Sequence, residues 1–219
     1  MVLGAIGVAT GSIAIPLTAV STATSVASLS QGVGAQQQNS GSQENSSGAD
    51  PDDPRLAKFT LRAHCSDEED PPFREEVEDK QVVLRNGKLY LDDSDPAQRK
   101  FEDGHEFSGF YVEYPWKTKP LGLVSTIRNN PPELNWIYVN EDTMALEYGG
   151  RSQSLLHRAG PWDWSDDEER VTFEDWEGFV ALEETKSSWV LYYDQDEDGL
   201  SSIKGERKVL ECSLERILS

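Results

Sequence analysis

Three aspartates at alternate positions, Asp194, Asp196 and Asp198, followed by Gly199, form the one stretch of this 219-residue chain whose spacing names a chemistry. Alternating carboxylates in a turn can converge on a hard cation, and glycine at the sixth position permits the sharp bend that such a loop needs. The expected ion is Ca2+, with Asp194, Asp196 and Asp198 as its ligands. The stretch departs from an EF-hand, because the twelfth position is Gly205, Glu206 comes one residue late, and the flanks read as strands. A calcium-binding hairpin loop therefore stands against a solvated acidic turn. A second acidic group, Asp166, Asp167, Glu168, Glu169, Glu174, Asp175 and Glu177, lacks ligand spacing and reads as a solvated face.

Tryptophan is the second chemical feature. Of six, Trp116, Trp162 and Trp164, with Trp176 nearby, fall in loop-like sequence. Rings beside carboxylates and amides suit carbohydrate stacking or capture of a cation, and compete with a plain anchoring role. The two cysteines, Cys65 and Cys212, sit in strand-like runs near either end of the folded part. In an oxidising compartment they would staple the first strand to the last, an effect of about 4–5 kcal/mol in the chain-entropy model. In the cytosol two thiols are expected instead. His64, His105 and His157 are scattered without metal-ligand spacing, and no nucleophile elbow, phosphate loop or dinucleotide fingerprint occurs.

Composition narrows the partners. Removing Glu44, Asp50, Asp52 and Asp53 from the 40 acids leaves 36 against 20 bases from Arg55 onward. Such a surface repels phosphate backbones, so nucleic acid is excluded as a partner and a protein, glycan or divalent cation is favoured. Residues 1–35 form an uncharged apolar leader. Its competing readings are a signal peptide, a membrane segment spanning part of residues 2–30, and a low-complexity tail. The expected location is secreted or membrane-associated, with the cytoplasm as the alternative. Residues 36–54 read as a disordered linker, too poor in apolar side chains to offset ordering entropy. Asn45-Ser46-Ser47 within it is an N-glycosylation sequon.

Residues 55–219 must position these groups. Short β-branched and aromatic runs alternate with turn signals from Phe59 onward. Asn86-Gly87, between Gln81–Arg85 and Lys88–Leu91, predicts a tight hairpin. Ser66–Lys80 and Asp92–Glu106 read as polar loops, and residues 151–164 as a short strand ending in an aromatic turn. Ser165-x-x-Glu168 has the spacing of a helix N-terminus. About nine or ten short strands without crossover helices predict an all-β fold with minor helix, an antiparallel sandwich or barrel.

Five stretches carry a resemblance: Pro131–Val139 (PPELNWIYV), Gly160–Trp164 (GPWDW), Trp176–Val180 (WEGFV), Tyr192–Leu200 and Leu210–Arg216. With them the chain resembles a family of filamentous-fungal (ascomycete) proteins of unknown function, over most of residues 57–217. The resemblance implies fungal origin and one continuous domain, and transfers no activity. The functional expectation is a non-catalytic acidic β-domain acting as a binding or interaction module, stabilised by calcium at Asp194–Gly199. The alternative is a carbohydrate-active hydrolase or carbohydrate-binding module built on the loop tryptophans and carboxylates.

Overall fold

The computed structural model describes residues 53–65 and 71–219, Pro71 by its backbone alone. The apolar leader, most of the linker and the Asn45 sequon lie outside the described residues. Among those described, no helix is long and apolar enough to cross a membrane. The all-β expectation holds.

Thirteen strands are present among the described residues: β1 (Phe59–Cys65), β2 (Gln81–Arg85), β3 (Lys88–Asp92), β4 (His105–Glu106), β5 (Gly109–Glu113), β6 (Leu121–Asn129), β7 (Pro132–Val139), β8 (Leu146–Gly149), β9 (Trp162–Trp164), β10 (Val171–Phe173), β11 (Phe179–Thr185), β12 (Ser188–Tyr193) and β13 (Val209–Leu218). Three short helices separate them: α1 (Pro71–Val77), α2 (Arg151–Ser154) and α3 (Ser201–Lys204). Every pairing is antiparallel. The ladder closes on itself, from β1 through β2, β3, β12, β11 and β13 back to β1. Closure decides for a barrel over a sandwich, since a ring of pairings leaves no free edge among its members.

Hairpins between successive strands build the sheet, among them β2–β3, β5–β6, β6–β7 and β11–β12. The first turns on Asn86 and Gly87, whose φ angles of 49° and 81° are the paired positive values of a tight hairpin, as expected. Along β1 burial follows the period of two, while β2, β3, β11 and β12 are buried at successive positions on both faces. Phe59, Leu61 and Ala63 alternate inward along β1, and Phe59 meets Phe107 and Tyr111 at centroid distances of 5.7 and 5.2 Å. Fully burying a Phe or Leu side chain such as Phe59 or Leu61 contributes about 1.5–3 kcal/mol.

Several local readings change. The loop read over Ser66–Lys80 contains α1, because Pro71 and Pro72 occupy the first turn, where missing N–H donors cost nothing. Residues 151–154 are helical, with Gln153 Oε1 accepting from the Gly150 N–H at 3.0 Å. Ser165-x-x-Glu168 starts no helix. The Ser165 hydroxyl instead accepts from the Arg170 N–H at 3.0 Å and closes the β9–β10 hairpin. The break at Asn129–Pro132 is the turn of the β6–β7 hairpin, with Asn129 paired to Pro132.

Candidate functional site

The Asp194 loop closes on itself. Asp194 is 5% exposed, and its carboxylate accepts from the backbone N–H groups of Gly199 at 2.8 Å, Asp198 at 3.3 Å and Leu200 at 3.5 Å. Asp198 faces the other way, accepting from the Ser201 N–H at 3.0 Å and from its hydroxyl, at the start of α3. Those bonds hold the Asp198 carboxyl below its ordinary range, the Ser201 hydroxyl first and its amide second. Asp196 points outward and is exposed. Two of the three carboxylates expected to hold Ca2+, Asp194 and Asp198, are thus engaged by amides and a hydroxyl. Among the described residues no group of three or more His, Cys, Asp or Glu side chains is placed to hold a metal ion. As placed, the residues do not fit a calcium site.

The tryptophans divide by burial. Trp162 is 1% exposed and packs against Phe173 at 4.7 Å and parallel to Phe179 at 6.2 Å, so it is core and not a ligand platform. Trp164 is half-buried, with the guanidinium groups of Arg55 and Arg216 each 4.5 Å from its ring centroid. Trp176 packs edge-on to Tyr193. Trp116 alone of the three predicted contacts presents its ring to solvent, at 50% exposure.

Around Trp116 the chain builds a recess of about 430 Å3. Two neighbours, Leu155 at 38% and Leu156 at 73% exposure, line it too, so three of the four exposed large hydrophobic side chains among the described residues share one place. Two segments position them. The β5–β6 loop is pinned by the Tyr114 N–H to the Pro120 carbonyl at 2.8 Å and the Lys119 N–H to the Trp116 carbonyl at 3.1 Å. The α2 segment is tied to that loop by Arg151 Nη2 donating to the Pro115 carbonyl at 3.1 Å, and by a buried Tyr114–Ser154 hydroxyl pair at 2.9 Å. Beyond α2, Val139 and Arg158 exchange backbone hydrogen bonds at 2.9 and 3.1 Å. His157 stacks on Tyr138 at 5.1 Å. Gly160 passes where a Cβ would lie 2.5 Å from the Leu121 carbonyl oxygen, so only glycine fits there. These bonds tie the frame together while the apolar tips face water.

Sequence reasoning placed Trp116 here and missed Leu155, Leu156 and Tyr114. The available signal was the Leu155-Leu156 pair, which no strand alternation explains.

A second polar constellation was invisible in the sequence. His64 on β1 bridges two carboxylates, Nδ1 to Glu78 Oε1 at 3.0 Å and Nε2 to Glu215 Oε2 at 2.9 Å. Glu78 Oε2 also accepts from the Cys65 N–H at 2.8 Å, and Arg74 stands 3.8 Å away. Burial alone would lower the His64 pKa, but the hydrogen bonds and charges of Glu78 and Glu215 outweigh it and raise it above 6.5. Burial likewise pushes Glu78 up, and the bonds from His64 and Cys65 with the charges of His64 and Arg74 bring it below its ordinary value. The His64 contribution to stability is fully present below about pH 6.5 and is lost as pH rises through the raised folded value. The Glu78 contribution is present above its unfolded value and lost as pH falls through the lowered one. The melting-temperature gap between the parent and His64→Gln should therefore be widest at mildly acidic pH and shrink towards pH 9. A gap that stays constant across that range would contradict the bridge.

A cleft of about 590 Å3 beside this bridge gathers His64, Cys65, Cys212, Trp176, Asp194 and Glu197. Its floor is the β1–β13 ladder, where Cys65 lies opposite Cys212.

Comparison with known proteins places the chain. Neither a search of curated proteins nor one of solved structures returned a match. A family model described as "Fungal beta-trefoil domain" matches residues 28–219, which bears out the resemblance to a fungal family and agrees with the closed antiparallel sheet. The chain belongs to the fungal beta-trefoil domain family.

Proposed function

We propose that this chain is a non-catalytic binding module whose partner is a protein that docks an apolar side chain into the Trp116–Leu155–Leu156 recess. β-Trefoil domains often serve as binding or interaction modules, which is compatible with this reading. The observation that carries it is the gathering of Trp116, Leu155 and Leu156 around one preformed recess. Solvated aliphatic and indole surface in one patch, rimmed by Glu141, His157 and Arg158, has the anatomy of an interface centre with a polar border. Two histidines support the non-catalytic part: both ring nitrogens of His64 are taken by carboxylates, and His105 Nδ1 pairs with the Glu106 carbonyl at 2.7 Å.

A glycan partner is the second reading, favoured by the open Trp116 ring beside Glu141 and His157. A displayed random-peptide library and a glycan array, each probed with the parent and with Trp116→Ala, separate the two. The expected result is enrichment of peptides with an aromatic or branched aliphatic anchor, with Trp116→Ala weakening them at least tenfold while its melting temperature stays within about 2 °C. Glycan signals that depend on Trp116, without peptide enrichment, would replace the first reading by the second. Binding insensitive to Trp116 would remove the recess from both.

A further inference from the structure

We propose that Cys65 and Cys212 are a paired redox site, joined by a cross-strand disulfide when the chain meets a disulfide-bearing oxidant. The structure carries both as thiols, at directly opposed positions of β1 and β13. Opposed residues in register project to the same face of a sheet. Their hydrogen-bonding class follows from the ladder. The Ser219 N–H donates to the Lys58 carbonyl at 3.0 Å, one step beyond the Phe59–Leu218 pair. Bonded and non-bonded pairs alternate along an antiparallel ladder, and Cys65–Cys212 lies an odd number of steps away. It is therefore a non-hydrogen-bonded pair, the class in which side chains approach most closely, with Cα atoms about 4.5 Å apart. That separation falls within the range that a disulfide spans. In keeping with this class, the Cys65 N–H is donated to Glu78 Oε2 and not across the ladder.

Access is provided by the cleft that both residues line. Cys212 is 7% exposed and Cys65 is more open, so Cys65 attacks first. Its thiolate attacks the external disulfide, forming a mixed disulfide and releasing one thiolate. Cys212, after losing its proton, attacks the Cys65 sulfur and releases the second. The two protein sulfurs give up two electrons, the external S–S bond accepts them, and the two protons end on the released thiols. The product closes a loop running from the first strand to the last, so it restrains nearly the whole domain in the unfolded state.

The test uses the full chain, equilibrated with glutathione disulfide or with dithiothreitol, then denatured, alkylated with N-ethylmaleimide and weighed intact. The oxidised chain should take up no maleimide and yield a reductant-sensitive Cys65–Cys212 peptide. Its melting temperature should rise by roughly 10 °C over the reduced chain. Cys65→Ser, at the more exposed position, should fold and lose that redox dependence. A Cys65→Ala/Cys212→Ala variant should melt like the reduced parent under both conditions. Two maleimide adducts under the most oxidising condition would overturn the proposal. So would separate glutathione adducts without the cross-link, or a disulfide-linked dimer.

Discussion

Trp162→Ala is expected to cost about 3–5 kcal/mol, a large fraction of the roughly 5–15 kcal/mol that holds an ordinary domain folded. The residue lies in what reads as a loop, between Pro161 and the acidic run after Ser165. Yet its ring is sandwiched among Phe173 and Phe179, and Phe173 in turn meets Tyr193 at 5.0 Å. Truncation therefore opens a cavity at the contact between the small β9–β10 hairpin and the barrel. Trp162→Phe should cost much less, about 1–2 kcal/mol, since the indole N–H has no acceptor among the described residues and its loss offsets part of the cavity. Chemical denaturation of both variants checks this order. A mild Trp162→Ala would mean that the ring is not core. Trp116→Ala, by contrast, should leave stability almost unchanged.

The second large effect is Asp194→Ala, expected to cost about 2–3 kcal/mol whether or not calcium is present. The Gly199 and Leu200 amides sit in a partly buried turn and lose their acceptor, while the exposed Asp198 amide can turn to water. Leu200 is held at a positive φ of 54° and belongs to a buried apolar cluster with Val180, Leu182, Val190 and Tyr192, so the loop's collapse reaches the barrel wall. Asp196→Ala should be silent, because that side chain is exposed. Thermal melts with millimolar Ca2+ or with a chelator distinguish the two accounts. The self-capped loop predicts no shift in the parent. A rise that Asp196→Ala abolishes would restore the calcium reading.

The loop also marks how far the sequence can be read. Carboxylates at alternate positions before glycine suit an ion, and the same carboxylates suit the amides of a tight turn. Spacing alone does not separate these outcomes, because both need oxygen atoms turned inward. The strands were legible where alternation ran for five or more residues, as in Phe59–Cys65, or where an aromatic and β-branched run was continuous, as in Trp189–Tyr193, and the Asn86-Gly87 turn was legible from its backbone preference. Three-residue strands such as Val171–Phe173 carry too little pattern to register. The α1 helix was hidden because Pro71-Pro72 serves equally as a breaker and as a helix opening. Long-range groupings were the least legible. Glu215 is brought to His64 by the β1–β13 register and Glu78 by the return of the chain after α1, where Asp79 and Lys80 hydrogen-bond to Ala63, and no local pattern encodes either. Cys65 and Cys212 were suspected partners from their places at the ends of the domain, and only the register makes them neighbours. The recess was half visible, in Trp116, because its other half depends on two exposed leucines that directly follow a four-residue helix.

The central claim is that partners dock at the Trp116 recess. The most direct measurement is amide chemical-shift mapping on the 15N-labelled full chain, titrated with the best peptide from the displayed library. The account predicts perturbations concentrated in residues 114–119 and 154–160, the two segments that frame the recess. Perturbations centred instead on the Asp194–Gly199 loop or the Cys65–Cys212 cleft, with the recess unmoved, would contradict it.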